Sequence, residues 1–138
     1  MKFNLKQLDI YQIRERAWDE AVKIYSKPST RRNREFPEIL ATCMYGQAAE
    51  VYLMTQGFTD DTRPFRDVIH PDRVPIEVKV TRIESNIKYV LEDCKEKRLW
   101  KDSTHPDIVY VFINDKKSYE YRLHGIYKWN GSEFISVH

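Results

Sequence analysis

The chain has 138 residues, 41% of them hydrophobic, 32% charged and 13% aromatic, which is too apolar for a disordered tail and too charged for a membrane protein. Its 23 Lys and Arg against 21 Asp and Glu leave a formal charge of +2, yet residues 1–34 carry +5 and the remainder −3. A basic leading segment on an acidic body suits a chain that meets a polyanion with one face.

Leu5, Leu8, Tyr11, Trp18, Val22 and Tyr25 recur at steps of three, four or seven and predict an amphipathic helix over 4–25. The polar stretch 26–34 holds Pro28 together with Lys27, Arg31, Arg32 and Arg34, and reads as an exposed basic loop. A second helix is expected over 36–56, with Pro37 in its first turn and Gly57 at its C-terminal cap. Strand signals at 63–69 and 74–82 flank His70-Pro71-Asp72-Arg73, a turn-like cluster. A third helix follows over 84–100, with Ser85 or Thr81 as candidate caps. The continuous apolar run 108–113 reads as a strand buried on both faces. Strands over 119–127 and 133–137, joined at Asn130-Gly131, close the chain. The predicted order is ααββαβββ, an α/β fold with a mixed sheet flanked by helices. It is read as a single domain: a helix and basic loop over 1–35, a core over 36–113 and C-terminal strands over 114–138.

Several carboxylates sit where burial makes a lone charge costly. Cys43, Gln47, Glu50 and Met54 share one helix face, so Glu50 lies on or beside an apolar stripe and needs a cation or a metal unless it reaches water at the helix edge. On the second strand Glu77 and Lys79 share one face while Ile76, Val78 and Val80 share the other. If His70 faces Val74 across the hairpin, Asp67 falls opposite Glu77 with Cβ atoms roughly 5 Å apart. A slip of one residue would put Arg66 or Val68 there instead. Two carboxylates so placed repel unless a cation lies between them, and Mg²⁺ suits one or two carboxylates supplemented by water and phosphate oxygens.

Glu50, then Asp67, then Ile76-Glu77-Val78-Lys79-Val80 resembles the PD-(D/E)XK nuclease superfamily, which includes many restriction endonucleases and Holliday-junction resolvases. The segment Gly46-Gln47-Ala48-Ala49-Glu50-Val51-Tyr52-Leu53 is similar to the leading helix of the resolvase-like branch. The resemblance covers about 38–113 and implies a restriction-endonuclease-like sheet with helices on its flanks. It implies Mg²⁺, with Mn²⁺ as substitute, held by Asp67, Glu77, the Val78 carbonyl and Glu50, and Lys79 as the catalytic cation. Pro71-Asp72 spells the family's name, but Asp72 at the tip of the turn would lie well over 10 Å along the strand from Glu77. It is therefore read as turn chemistry, with Asp60 and Asp61 as fallback acids.

The function expected is a Mg-dependent DNA endonuclease that hydrolyses phosphodiesters by metal-activated water, with Glu50, Asp67, Glu77 and Lys79 at its active centre. Lys27, Arg31, Arg32 and Arg34 are candidate phosphate contacts, as are Arg66 and Arg82 beside the hairpin, with Arg63 and Arg73 as further members of the track. Duplex or branched DNA is the expected partner, and a homodimer is expected because duplex cleavage needs two cuts. The competing readings are a non-catalytic nucleic-acid-binding module of the same fold, an RNA-cleaving nuclease, and a plain surface charge pair at Glu77–Lys79. Two cysteines are too few for a disulfide framework, no apolar run approaches 18 residues, and no signal-like stretch opens the chain. An intracellular, cytoplasmic protein without membrane contact is expected. Four scattered histidines show no metal-ligand spacing to Cys43 or Cys94. Trp18, Trp100 and Trp129 are expected in core or hinge packing and not as base-stacking platforms, with exposure beside Asn130-Gly131 the alternative for Trp129.

Overall fold

The computed structural model describes residues 1–63, 66–115 and 118–137. Their elements run β1 (Lys2–Asn4), α1 (Ile10–Tyr25), α2 (Pro28–Arg31), α3 (Phe36–Thr55), β2 (Thr59–Asp60), β3 (Val68–Ile69), β4 (Pro75–Thr81), α4 (Ile87–Arg98), β5 (Ile108–Asn114), β6 (Glu120–Trp129) and β7 (Phe134–Ser136). The fold is mixed α/β. Among the described residues one sheet runs β1-β6-β5-β4-β3-β2, with β7 also on β6, and only β4 and β5 are parallel. A parallel pair needs a crossover, and α4 supplies it.

The order is richer than ααββαβββ, because β1, α2 and β2 are added among the described residues. The first helix begins at Ile10, not residue 4, because two local caps intervene. Asn4 accepts the Lys6 N–H and Gln7 accepts the Asn4 N–H, closing a 3₁₀ turn, and Asp9 then accepts the Tyr11 and Gln12 N–H groups. The face of α1 turned inward is Ile13, Ala17 and Ala21, while Tyr11, Trp18 and Val22 are exposed. Of the predicted apolar stripe, Leu5, Leu8 and Tyr25 pack against the core, whereas Tyr11, Trp18 and Val22 face outward. Small side chains let α1 approach α3 closely, where Ala17 and Ala21 pack on Ile39 and Cys43.

Helix α3 is buried along Ile39, Cys43, Gln47 and Glu50 as well as Ala48, Ala49, Val51 and Leu53, because α1 covers one side and the sheet the other. Its end is a Schellman motif. The Phe58 N–H donates to the Leu53 carbonyl, the Gly57 N–H to the Met54 carbonyl, and Gly57 takes φ +95°. Among the described residues of the strand expected over 63–69, Val68–Ile69 form β3; Pro64 and Phe65 lie outside the described residues. Pairing of Val68 with Ile76 and of Ile69 with Pro75 gives the register expected from His70 facing Val74. Arg73 takes φ 70° in that turn, and the Asp72 N–H donates to His70 Nδ1.

Strand β4 alternates as expected, Ile76 and Val78 packing on the α3 side with Tyr110 and Phe112 of β5. The opposite face of β5, with Val109, Val111 and Ile113, packs against Ile87 and Cys94 of α4 and against Phe134. Neither expected cap serves α4: Thr81 exchanges hydrogen bonds with Ile83, and a 3₁₀ turn over Glu84–Asn86 leads into the helix. Trp18 and Trp100 are exposed, whereas Trp129 is half-buried against Phe134 and Arg98. Among the described residues no helix is long and apolar enough to cross a membrane.

Candidate active site

Asp67 lies where β3 leaves β4, close enough to Glu77 and Glu50 for their charges to act on one another. In regular pairing the Asp67 N–H would turn away from β4, but it donates to the Ile76 carbonyl at 3.0 Å, as in a bulge. Asp67 is therefore not a ladder partner of Glu77. Its Oδ2 accepts the Val78 N–H at 2.7 Å, standing where a continued β3 would have offered a carbonyl. The N–H and C=O of one strand residue point the same way, so the Val78 carbonyl faces the same gap. Its side chain packs in the core on the α3 side.

Glu77 and Lys79 lie on the other face of β4, and Lys79 Nζ stands 3.2 Å from Glu77 Oε1. The second carboxylate oxygen, Glu77 Oε2, is buried with no hydrogen-bond partner among the described residues. Glu50 approaches from the α3 side and is 5% exposed. The charge of Asp67 and, more weakly, that of Glu77 on the other face are felt at Glu50.

A residue that the sequence did not single out holds Glu50. Arg16 of α1 donates through Nε to Gln47 Oε1 at 2.7 Å and through Nη2 to Glu50 Oε1 at 3.4 Å. Its Nη1 and Nη2 also form a two-pronged contact with Asp60 of β2, each bond 3.1 Å. One guanidinium ties α1, α3 and β2 together. Asp60 is therefore an ion-pair partner, and Asp61 is held by Arg63 at 3.1 Å.

Burial pushes the Glu50 carboxyl well above the usual range, Asp67 and Glu20 add to the rise, and Arg16 opposes it. Asp67 is likewise raised, first by burial and then by Glu77, against the Val78 N–H and Lys79. Burial works against charge on Lys79, but Glu77, Cys94 and Asp67 raise its pKa above the ordinary lysine value. Lys79 is a fixed cation at neutral pH and not a proton acceptor.

A cleft of about 460 Å³ opens onto Arg16, Gln47, Glu50, Asp60 and Asp67, with Lys23, Arg63 and Arg66 also in its walls. Glu77 and Lys79 are not among its lining residues. Among the described residues no three acids, histidines or cysteines are gathered closely enough to form a ready cage for an ion.

The basic candidates divide. Arg66 is in the cleft wall, with its Nε committed to the Thr104 carbonyl at 2.9 Å. Lys27 and Arg32 are exposed on either side of α2, while Arg31 covers the Tyr25 ring and Arg34 donates to the Thr30 and Arg31 carbonyls. The expected loop contains the short helix α2, closed by Arg32 in the left-handed region at φ 52°. Arg82 lies over the Tyr45 ring, five residues along β4 from Glu77 and so roughly 16 Å away. It stands outside the site, and Arg73 is held in its turn. Both cysteines are free and buried, and burial pushes the Cys94 thiol up to about 12. No family profile, curated protein or solved structure matches the chain.

Proposed function

We propose that the chain is a Mg²⁺-dependent DNA endonuclease with a restriction-endonuclease-like core. The observation that carries this reading is Glu77 Oε2, a buried carboxylate oxygen without a partner among the described residues, on a residue whose charge acts on a second, half-buried acid, Asp67. A buried acceptor left unsatisfied is costly in a low dielectric. A divalent ion held by Asp67, Glu77 and the Val78 carbonyl would satisfy it and relieve the repulsion that raises the carboxyl of Asp67. Hard oxygen donors of this kind fit Mg²⁺ or Mn²⁺.

When bound, such an ion lowers the pKa of its water and polarises a phosphate. The chain's own residues supply the rest. Lys79 keeps its proton and offers a fixed positive charge to an anionic transition state. Asp67 orients itself through the Val78 N–H, and Glu77 is steadied by Lys79. Lys23 and Arg66 stand in the wall of a cleft otherwise rich in carboxylates, and would be its contacts to a phosphate once a divalent ion offsets those acids. A homodimer would place two such centres on a duplex.

A second reading, a nucleic-acid-binding module without catalysis, is favoured by one feature: Glu50 is occupied by Arg16. RNA as substrate is a variant of the first reading. The experiment is cleavage of supercoiled, linear and branched DNA and of RNA, with Mg²⁺, Mn²⁺ or chelator. Metal-dependent cutting that Lys79→Ala and Asp67→Asn abolish supports the nuclease. Binding without cutting on every substrate supports the module, and an undiminished Lys79→Ala enzyme refutes the assigned centre.

A further inference from the structure

The two carboxylate pairs of this site are not equivalent. Asp67 and Glu77 act on each other by charge and leave Glu77 Oε2 without a partner among the described residues, whereas Glu50 and Asp60 already share a cation. Arg16 donates to three separate side chains, and its fork matches the Asp60 carboxylate oxygen for oxygen. A guanidinium does not deprotonate in proteins, so this positive charge is permanent. It is also well seated: the Arg16 side chain is 23% exposed and the Glu50 side chain 7%.

We infer that Arg16 takes the place of a second metal ion, so that the site binds one divalent cation, at Asp67 and Glu77, and Glu50 is not its ligand. This rests on the metal-dependent reading above. Arg16 already occupies both Asp60 oxygens and Glu50 Oε1, whereas Lys79 contacts one oxygen of Glu77 and leaves the other without a partner among the described residues. Displacing Arg16 to free Glu50 would break three contacts and strand the guanidinium beside an ion of its own sign. Arg16 is thus a positioning residue. It fixes Glu50 and Gln47 against β2 and supplies a standing positive charge on the α3 side of the cleft, while Lys79 supplies one on the α4 side.

The test counts ions. Mn²⁺ is titrated into the full chain by calorimetry, with the free ion followed by paramagnetic resonance. One ion per chain is expected. Asp67→Asn and Glu77→Gln are expected to weaken it at least tenfold, and Glu50→Gln less than threefold. Arg16→Met, its fold checked by circular dichroism, is expected to admit a second, weaker ion at Glu50 and Asp60. Two ions in the parent chain, or a loss in Glu50→Gln equal to that in Asp67→Asn, overturns the inference whether or not the Arg16 variant folds. A folded Arg16→Met that still binds one ion overturns it too. A parent chain that binds no Mn²⁺ sinks the metal-dependent reading itself, which separates the two failures.

Discussion

Asp67→Asn is expected to stabilise the protein in chelator at pH 7.5. An ionised Asp67 gives up hydration and sits in the fields of Glu77 and Glu20, offset by the Val78 N–H and Lys79. Asparagine keeps an oxygen for the Val78 N–H, so the bond falls from a charge-assisted one to a neutral one, a loss of about 1 kcal/mol. Removing the buried charge and its repulsion outweighs that loss. A net gain of about 0.5–2 kcal/mol is expected, as for other relieved functional sites, or about 2–7 °C in Tm for this chain length. Asp67 and Glu50 both bind their protons more tightly folded than unfolded. Their contribution to stability is fully present below about pH 4 and is lost as pH rises through their raised values. Asp61 and Asp93, lowered against the pull of burial by Arg63 and Lys97 respectively, act in the opposite sense, losing their contribution as pH falls through their lowered values. Urea unfolding of parent and variant across pH 4–8 measures both effects. The parent is expected to lose stability more steeply than the variant on the alkaline side and to regain more with Mg²⁺. An Asp67→Asn protein less stable than the parent by over about 1 kcal/mol at pH 7.5 in chelator, or a parent insensitive to pH in that window, refutes the reasoning.

Lys79→Ala strips Glu77 of its one charged contact and is expected to cost about 3 kcal/mol, whereas pairing it with Glu77→Gln recovers most of the loss in a double-mutant cycle. Phe112→Ala, at a fully buried ring between β5 and α3, is expected to cost about 3–5 kcal/mol by urea unfolding. Gly57→Ala is expected to cost about 1–2 kcal/mol for conformation alone, because its φ is +95° and an added Cβ would meet only Pro71 Cγ at an ordinary 3.6 Å. Cys43 and Cys94, raised first by burial, are expected to react with a disulfide reagent at pH 8 only as fast as the chain unfolds; rapid reaction in the native state would contradict their burial.

Much of the candidate site can be read along the chain because its signals are local. Alternation over Ile76–Val80 assigns Glu77 and Lys79 to one face, and the turn at His70–Arg73 sets the register that brings Asp67 near them. Glu50 stands out because it interrupts an apolar stripe. Arg16 carries no such signal. It is 31, 34 and 44 residues from Gln47, Glu50 and Asp60, and on its own helix it is one charge among several.

The sequence by itself determined the order of the central elements, the buried strand at 108–113 and the face of β4 that carries the acid and the lysine, because each follows from periodicity within a few residues. Tertiary structure alone decided which side of α1 turns inward. Hydropathy favours Tyr11, Trp18 and Val22, but the narrow space against Ile39 and Cys43 admits Ala17 and Ala21 instead. That choice is what carries Arg16 into the cleft. It also took the folded sheet to pair β1 with β6 and to end the β3 ladder at Val68, so that Asp67 could leave its strand and bond to Val78. Contacts between distant segments depend on shape and volume at the meeting point, and no local pattern records them.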